Sequence, residues 1–347
     1  MVENKEYWRN DMNANAISGS ELMMKNLEKS LGSEFLKDFH FTLSRQRGEL
    51  PEDKFRIFYA HDLPTDPESV KALDCGNWRN FHKIVFVSNW QQQHFIEKFQ
   101  IPWSRTIVMP NAIKEIDVDL TEKFELPKNK VKFIYHTTPH RGLGILVPVF
   151  QKLAEEFPNK VHLDVYSSFK IYGWEDRDKQ FEPLYNTIRE HKDMTYLGTV
   201  SNDKVRKALA KADIFAYPSV WTETSCLSLI EAMSAGCLCI HPNLGALYET
   251  AGNWTFMYPF QEDPNIHASH FYEMLAHGTK LLLKMPKSLK LKLMGQKSYT
   301  DVTYSWEVRS VAWKGMLDSL RSLPRGFETS MPPDDKPEGT FNYTVDI

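Results

Sequence analysis

The sequence lacks most features that would place it outside the ordinary globular class. Its four cysteines, Cys75, Cys226, Cys237 and Cys239, form no CxxC pair and no disulfide framework in 347 residues. Cys237 and Cys239 alternate within an apolar run, which predicts buried, reduced thiols in a strand and a cytoplasmic setting. No apolar run approaches the about 20 residues that span a bilayer, so no transmembrane segment is expected and membrane contact would be peripheral. The polar start MVENKEYWRND has none of the features of a signal peptide. A net charge of −3 offers no basic excess for nucleic acid. Internal repeats and low-complexity tracts are absent. With 42% hydrophobic and 25% charged residues, a chain of this length is expected to form two domains, each with its own core.

Short apolar runs alternate with helical patterns along most of the chain. A helix pattern follows Gly19, and strands are expected at 38–44, 55–60, 83–88 and 106–109, with helices at 67–79 and 90–99 between them. After a polar stretch at 113–129 the alternation resumes. Strands are expected at 131–135, 161–166, 194–197, 214–217 and 238–241, with helices ending near 157, 191, 211 and 235. Strand–helix alternation of this kind predicts parallel sheets, here two in succession. The segment from Arg325 is rich in proline, glycine and charge and reads as a loosely attached tail.

The most informative stretch is PSVWTETSCLSLIEAMSAGCLCIHPNLGALYE, from Pro218 to Glu249. An apolar strand ends in a polar turn, a helix is expected to begin near Ser225, and a buried strand follows Gly236. Ligands of open α/β sheets sit beyond the strands' carboxyl ends, where a helix N-terminus favours an anion. Glu223 and Glu231 would lie about 80° apart around a continuous helix, which argues against a paired-carboxylate acid–base site. A capping role for Glu223 at Thr222-Glu223-Thr224 is the other reading of that residue.

This stretch resembles the E-x7-E segment of retaining GT-B glycosyltransferases of the family 4, or group 1, type. FIYHTTPHRGLGILVPVF, MTYLGTVSNDKVRKALAKADIFAYPS and the segment 84–113 are similar to further parts of that family in the same order. The resemblance runs from about Phe55 to Gly252, with a weaker echo at 304–320. It implies an α/β, GT-B fold: two Rossmann-like domains facing across a cleft. The expected division is an acceptor-side domain at 1–114, a nucleotide-sugar domain at 115–304, a helix at 305–322 crossing back to the first domain, and the tail at 325–347. Residues 1–17 hold no apolar run, so the first domain is expected to be unusually short.

By the same resemblance, Glu223 would contact the donor sugar, Glu231 the ribose, and Arg141 with Gly142 the diphosphate. Backbone N–H groups of Cys226 and Leu227, helped by Thr224 and Ser225, would add to the phosphate site. Gly19 would approach the phosphates from the first domain, Gly198 and Thr199 would border the base, and His61 would face the reacting sugar or acceptor. The family's further arginine is missing from Tyr135-His136-Thr137-Thr138, so neutral donors or His140 are expected to replace it. Gly245 would make a tight turn near the site, with Glu249 capping or supporting it. Asp117-Val-Asp119 and Asp176-Arg-Asp178 have metal-binding spacing but end no apolar strand, so neither a metal nor any other cofactor is expected. The implied activity is metal-independent transfer of a sugar, with retention, from a nucleotide-sugar donor to a glycan- or lipid-linked acceptor. The alternatives are a nucleotide-sugar-binding module without turnover, or an epimerase or hydrolase of nucleotide-sugars.

Overall fold

The computed structural model describes residues 19–323; the expected tail and residues 1–18 lie outside them. Among the described residues the chain builds two parallel sheets. The first contains β1 (Phe39–Leu43), β2 (Phe55–Tyr59), β3 (Lys83–Phe86) and β4 (Thr106–Val108), side by side in sequence order. The two-residue period of a strand sorts its side chains cleanly. Ile57, Tyr59, Val85 and Val87 face one core, while Phe58, Ala60, Ile84 and Phe86 face another. The second core is closed by the helices Pro67–Leu73 and Asn89–Phe99. The single helix expected over 67–79 breaks, because Cys75 and Gly76 adopt left-handed φ of 53° and 82°.

The other face of the first sheet is covered by two helices from opposite ends of the described chain, Gly19–Leu31 and Trp306–Arg321. Trp313 meets Phe41 and Tyr59 edge-on, with ring centroids 6.0 Å and 5.1 Å away. Arg321 adds an ion pair to Asp38 at 2.9 Å. The chain therefore returns to its first domain, and the Ile113 N–H donates to the Tyr304 carbonyl at 2.8 Å where the two crossings run together.

The second sheet comprises β5 (Val131–Tyr135), β6 (Val161–Val165), β7 (Met194–Tyr196), β8 (Ile214–Ala216), β9 (Leu238–Pro242) and β10 (Phe256–Tyr258). Their spatial order is β10-β9-β8-β5-β6-β7. Progress along the sheet reverses between β5 and β8, so the connections leaving these two strands diverge and open a crevice at their carboxyl ends. Cys237 and Cys239 are buried in and beside β9 as free thiols. No described helix is long and apolar enough to cross a membrane.

Candidate functional site

The loops after β5 and β8 meet at this reversal point. After β5 the chain makes a tight turn at Pro139–Arg141 and reaches Gly142 with φ of 125°. A Cβ at Gly142 would stand 2.1 Å from the Pro218 carbonyl oxygen, so only glycine lets the two loops touch. This contact brings Arg141 against Glu223. Their side chains form a largely buried ion pair, and the same carboxylate accepts the Tyr217 hydroxyl. Burial opposes the charge on Arg141, yet Glu223 and Tyr217 together hold its guanidinium protonated well above the ordinary arginine range.

A third loop fixes the Glu223 backbone. The Ala246 N–H donates to the Glu223 carbonyl at 2.7 Å, and Gly245, with φ of 60°, packs so closely that a Cβ would lie 2.4 Å from that oxygen. Because Glu223 is held extended against Gly245, the helix cannot begin near Ser225 as expected. It begins at Leu227, with buried Cys226 in the N-cap position and Ser225 half-buried in the turn before it. The free N–H groups of its first turn thus start at Leu227, one residue later than expected. Burial raises the Cys226 thiol, which is therefore a neutral packing group.

The first domain closes on the same loop. Thr224 Oγ1 donates to the His61 carbonyl at 2.7 Å, and the His61 N–H donates to Ser44 Oγ at 2.7 Å. The His61 ring packs on Tyr59 and its Nε2 has no hydrogen-bond partner. Burial pushes this imidazole down to about 3, so it is uncharged at neutral pH. Gly19 starts its helix against Leu227, where a Cβ would sit 2.9 Å from Leu227 Cδ1. Glu249 reaches across as well and accepts the N–H groups of Asn89 and Trp90 at 2.8 Å and 2.9 Å.

Glu231 belongs to a separate cluster. It accepts from Asn202 Nδ2 at 3.1 Å and pairs with Arg206 at 3.2 Å, while Arg206 also binds the carbonyls of Lys114 and Glu115. Burial raises the Glu231 carboxyl, with Asn202 and Arg206 working against that rise. Gly198 and Thr199 follow the edge strand β7, two strands from β5.

His140 stacks on Phe169, and burial with Arg141 and Arg177 nearby pushes it down to about 4. It supplies no positive charge at neutral pH in place of an arginine. Three of the four acids with metal-binding spacing are engaged in local structure, and Asp117 is exposed. Asp119 caps the short helix Leu120–Lys123, Asp178 binds Ser168, the Phe169 N–H and Tyr185, and Asp176 pairs with Lys179. Sequence reasoning missed Tyr217, Asn202 and Arg206. Tyr217 could have been found as the polar end of an apolar strand; Arg206 lies in an ordinary charged helix, and nothing in its surroundings marks it.

Residues 131–277 match the family model for glycosyl transferases group 1. Over this domain the chain is similar to the group 1 glycosyltransferases. Arg141, Glu223 and Glu231 all lie within it. Among curated proteins, the chain is 25% identical over 189 residues to the phosphatidylinositol N-acetylglucosaminyltransferase GPI3 subunit of Saccharomyces cerevisiae, covering 52% of this chain and 40% of that one. The chain thus spans well under half of that relative's length. It is similar in structure to a glycosyltransferase from Rickettsia africae, with a TM-score of 0.59 at 17% identity over 90% of this chain and 85% of that chain. It is also similar to Anabaena HepE, solved in complex with UDP-glucose, with a TM-score of 0.57 at 14% identity over 87% and 82% of the two chains. The fold around the group 1 domain is GT-B.

Proposed function

We propose that this chain transfers a sugar, with retention and without a metal ion, from a nucleotide-sugar bound by the group 1 domain to an acceptor hydroxyl presented by the first domain. The observation that carries the reading is the meeting of Arg141 and Glu223 at the reversal point of the second sheet. Arg141 offers a fork of donors for phosphate oxygens, and the first turn of the Leu227–Ser234 helix adds free N–H groups. Glu223 keeps lone pairs for sugar hydroxyls beyond those used by Arg141 and Tyr217. Glu231, anchored by Asn202 and Arg206, would accept ribose hydroxyls.

In the step itself the bond from the anomeric carbon to the diphosphate oxygen breaks, and a bond from that carbon to the acceptor oxygen forms on the same face. The acceptor proton passes to a phosphate oxygen of the leaving group. Negative charge grows on the diphosphate as its bond lengthens, so a fixed cation and oriented N–H groups favour the transition state over the ground state. The His61 ring, neutral and unpartnered at Nε2, would hydrogen-bond a hydroxyl and would carry no charge in the step.

A relative named for N-acetylglucosamine transfer to phosphatidylinositol and a neighbour solved with UDP-glucose make UDP-sugars the first donors to test. Thermal-shift screening against UDP, GDP, ADP and their sugars is the experiment. Saturable stabilisation by one nucleotide and its sugar is expected. No stabilisation by any of them would contradict the donor assignment, and binding without later turnover would leave a binding module.

A further inference from the structure

The helix Asn202–Lys211 places Asn202 and Arg206 one turn apart, so both side chains reach the same carboxylate. Asn202 Nδ2 and Arg206 Nη1 donate to one oxygen, Glu231 Oε1, at 3.1 Å and 3.2 Å. Among the described residues, Oε2 receives only a longer contact of 3.4 Å from Asn202, which leaves it lone pairs for a ligand. The second nitrogen of the Arg206 fork, Nη2, donates to the carbonyls of Lys114 and Glu115 at 2.7 Å each. These two residues belong to the crossing from β4 to β5, the link between the two sheets. The following peptide of that crossing is held too: the Ile116 N–H donates at 2.9 Å to the hydroxyl of Ser234, the last residue of the helix that carries Glu231.

One guanidinium therefore spans from the Glu231 carboxylate to the interdomain link. Its planar fork fixes both directions at once, which an ammonium on a flexible stem does not. With 8% and 16% of their side chains exposed, Glu231 and Arg206 meet where an unpaired carboxylate favours its protonated form. Burial raises the Glu231 carboxyl, and Asn202 with Arg206 opposes that rise. A carboxylate that stays ionised and cannot turn is a stronger and better-aimed acceptor for a pair of neighbouring hydroxyls. We propose that Arg206 is a positioning residue for ribose recognition: it aims Glu231 Oε2 at the ribose hydroxyls and takes its own bearing from the carbonyls of Lys114 and Glu115. Ribose as the ligand rests on the donor site proposed above; the brace from Glu231 to the interdomain link does not.

The test compares nucleotides with and without ribose hydroxyls: UDP, ADP and GDP, each against its 2′,3′-dideoxy counterpart, titrated calorimetrically into the full chain. The variants are Arg206→Met, which keeps the aliphatic stem and removes the donors, and Arg206→Lys, which keeps the charge and loses the fork. Wild type is expected to prefer the ribose form of the nucleotide it binds by about tenfold or more. Arg206→Met is expected to bring that ratio close to one with little change in affinity for the dideoxy form, and Arg206→Lys to fall between. A purely structural role would weaken both forms alike and leave the ratio as in wild type. A wild-type ratio in Arg206→Met, with nucleotide binding intact, overturns this inference alone. Where Arg206→Met does not fold, the Arg206→Lys ratio decides, and a wild-type value there overturns the proposal. A wild type that binds both forms equally overturns this inference and leaves the phosphate side of the donor site standing. No nucleotide bound by wild type overturns the donor reading, and this inference with it.

Discussion

Glu249 accepts both the backbone N–H and the side-chain amide of Asn89, at 2.8 Å and 2.7 Å, across 160 residues of sequence. Asn89 opens a helix of the first domain, while Glu249 stands on a short helix of the second. A carboxylate at a helix N-terminus satisfies otherwise unpaired N–H groups and meets the positive end of the dipole. The contact therefore ties the two domains together in addition to the Trp306–Arg321 helix. Glu249→Ala is expected to destabilise the paired domains by about 1–2 kcal/mol. Thermal melts and limited proteolysis check this, and nucleotide affinity should stay near wild type because no nucleotide contact is removed. A variant that melts and digests like wild type would show that the clamp contributes nothing.

Gly142→Ala is expected to be severe, although it adds one carbon. The new Cβ would overlap the Pro218 carbonyl, and φ of 125° is a conformation that alanine avoids. Separating the two loops would pull Arg141 from Glu223. We expect a loss of at least about 2 kcal/mol in stability, together with loss of nucleotide binding. Wild-type nucleotide affinity in this variant would mean that the loops need not touch for the site to form.

Much of the fold was legible because apolar runs alternate with helical patterns, and because Ile57, Phe58 and Tyr59 divide between two cores as a strand's period requires. The turn holding Glu223 and the loop holding Arg141 were legible as ends of apolar strands. The rest depends on tertiary contacts that leave no local trace. The helix start moved to Leu227 because Gly245 holds Glu223 extended, a pairing across the loop. The left-handed turn at Cys75 and Gly76 breaks a pattern that reads as one continuous helix. Arg206 reaches Glu231 from a helix with an unremarkable charge pattern. The partnership of Glu249 with Asn89 links two domains, and no spacing rule anticipates it.

Glu231→Ala is expected to weaken nucleotide binding by about 1–3 kcal/mol, through loss of a charged acceptor for ribose. Its removal also leaves the half-buried Arg206 with carbonyl partners alone, so a modest stability loss should accompany the binding defect. Calorimetric titration with the nucleotide identified by screening checks this. Unchanged affinity would remove Glu231 from the donor site.

Stability should fall as pH drops through the histidine range. Burial pushes His61 to about 3, and His136 and His241 to about 4, from 6.5. Below pH 6.5 the unfolded chain takes up protons that the folded state refuses, so stability present above that value is progressively lost toward pH 4. Asp62 and Glu231, whose carboxyls burial raises, act in the opposite sense nearer the carboxylate range. The melting temperature should therefore decline between about pH 6.5 and 5 before other carboxylates titrate. Melts across a buffer series check this, and a flat profile in that window would contradict the buried, neutral state of these rings.

Acceptor-dependent nucleotide release, run in EDTA for wild type and Arg141→Ala side by side, tests the proposed transfer most directly. Wild type is expected to release nucleotide only when donor and acceptor are both present, with the product retaining the donor's anomeric configuration. Arg141→Ala is expected to lose about a hundredfold or more in turnover while donor affinity falls much less, because the arginine acts on charge that develops in the transition state. No release with any donor and acceptor pair, release that requires an added metal ion, or a variant with normal turnover and a raised Michaelis constant would contradict the proposed transfer.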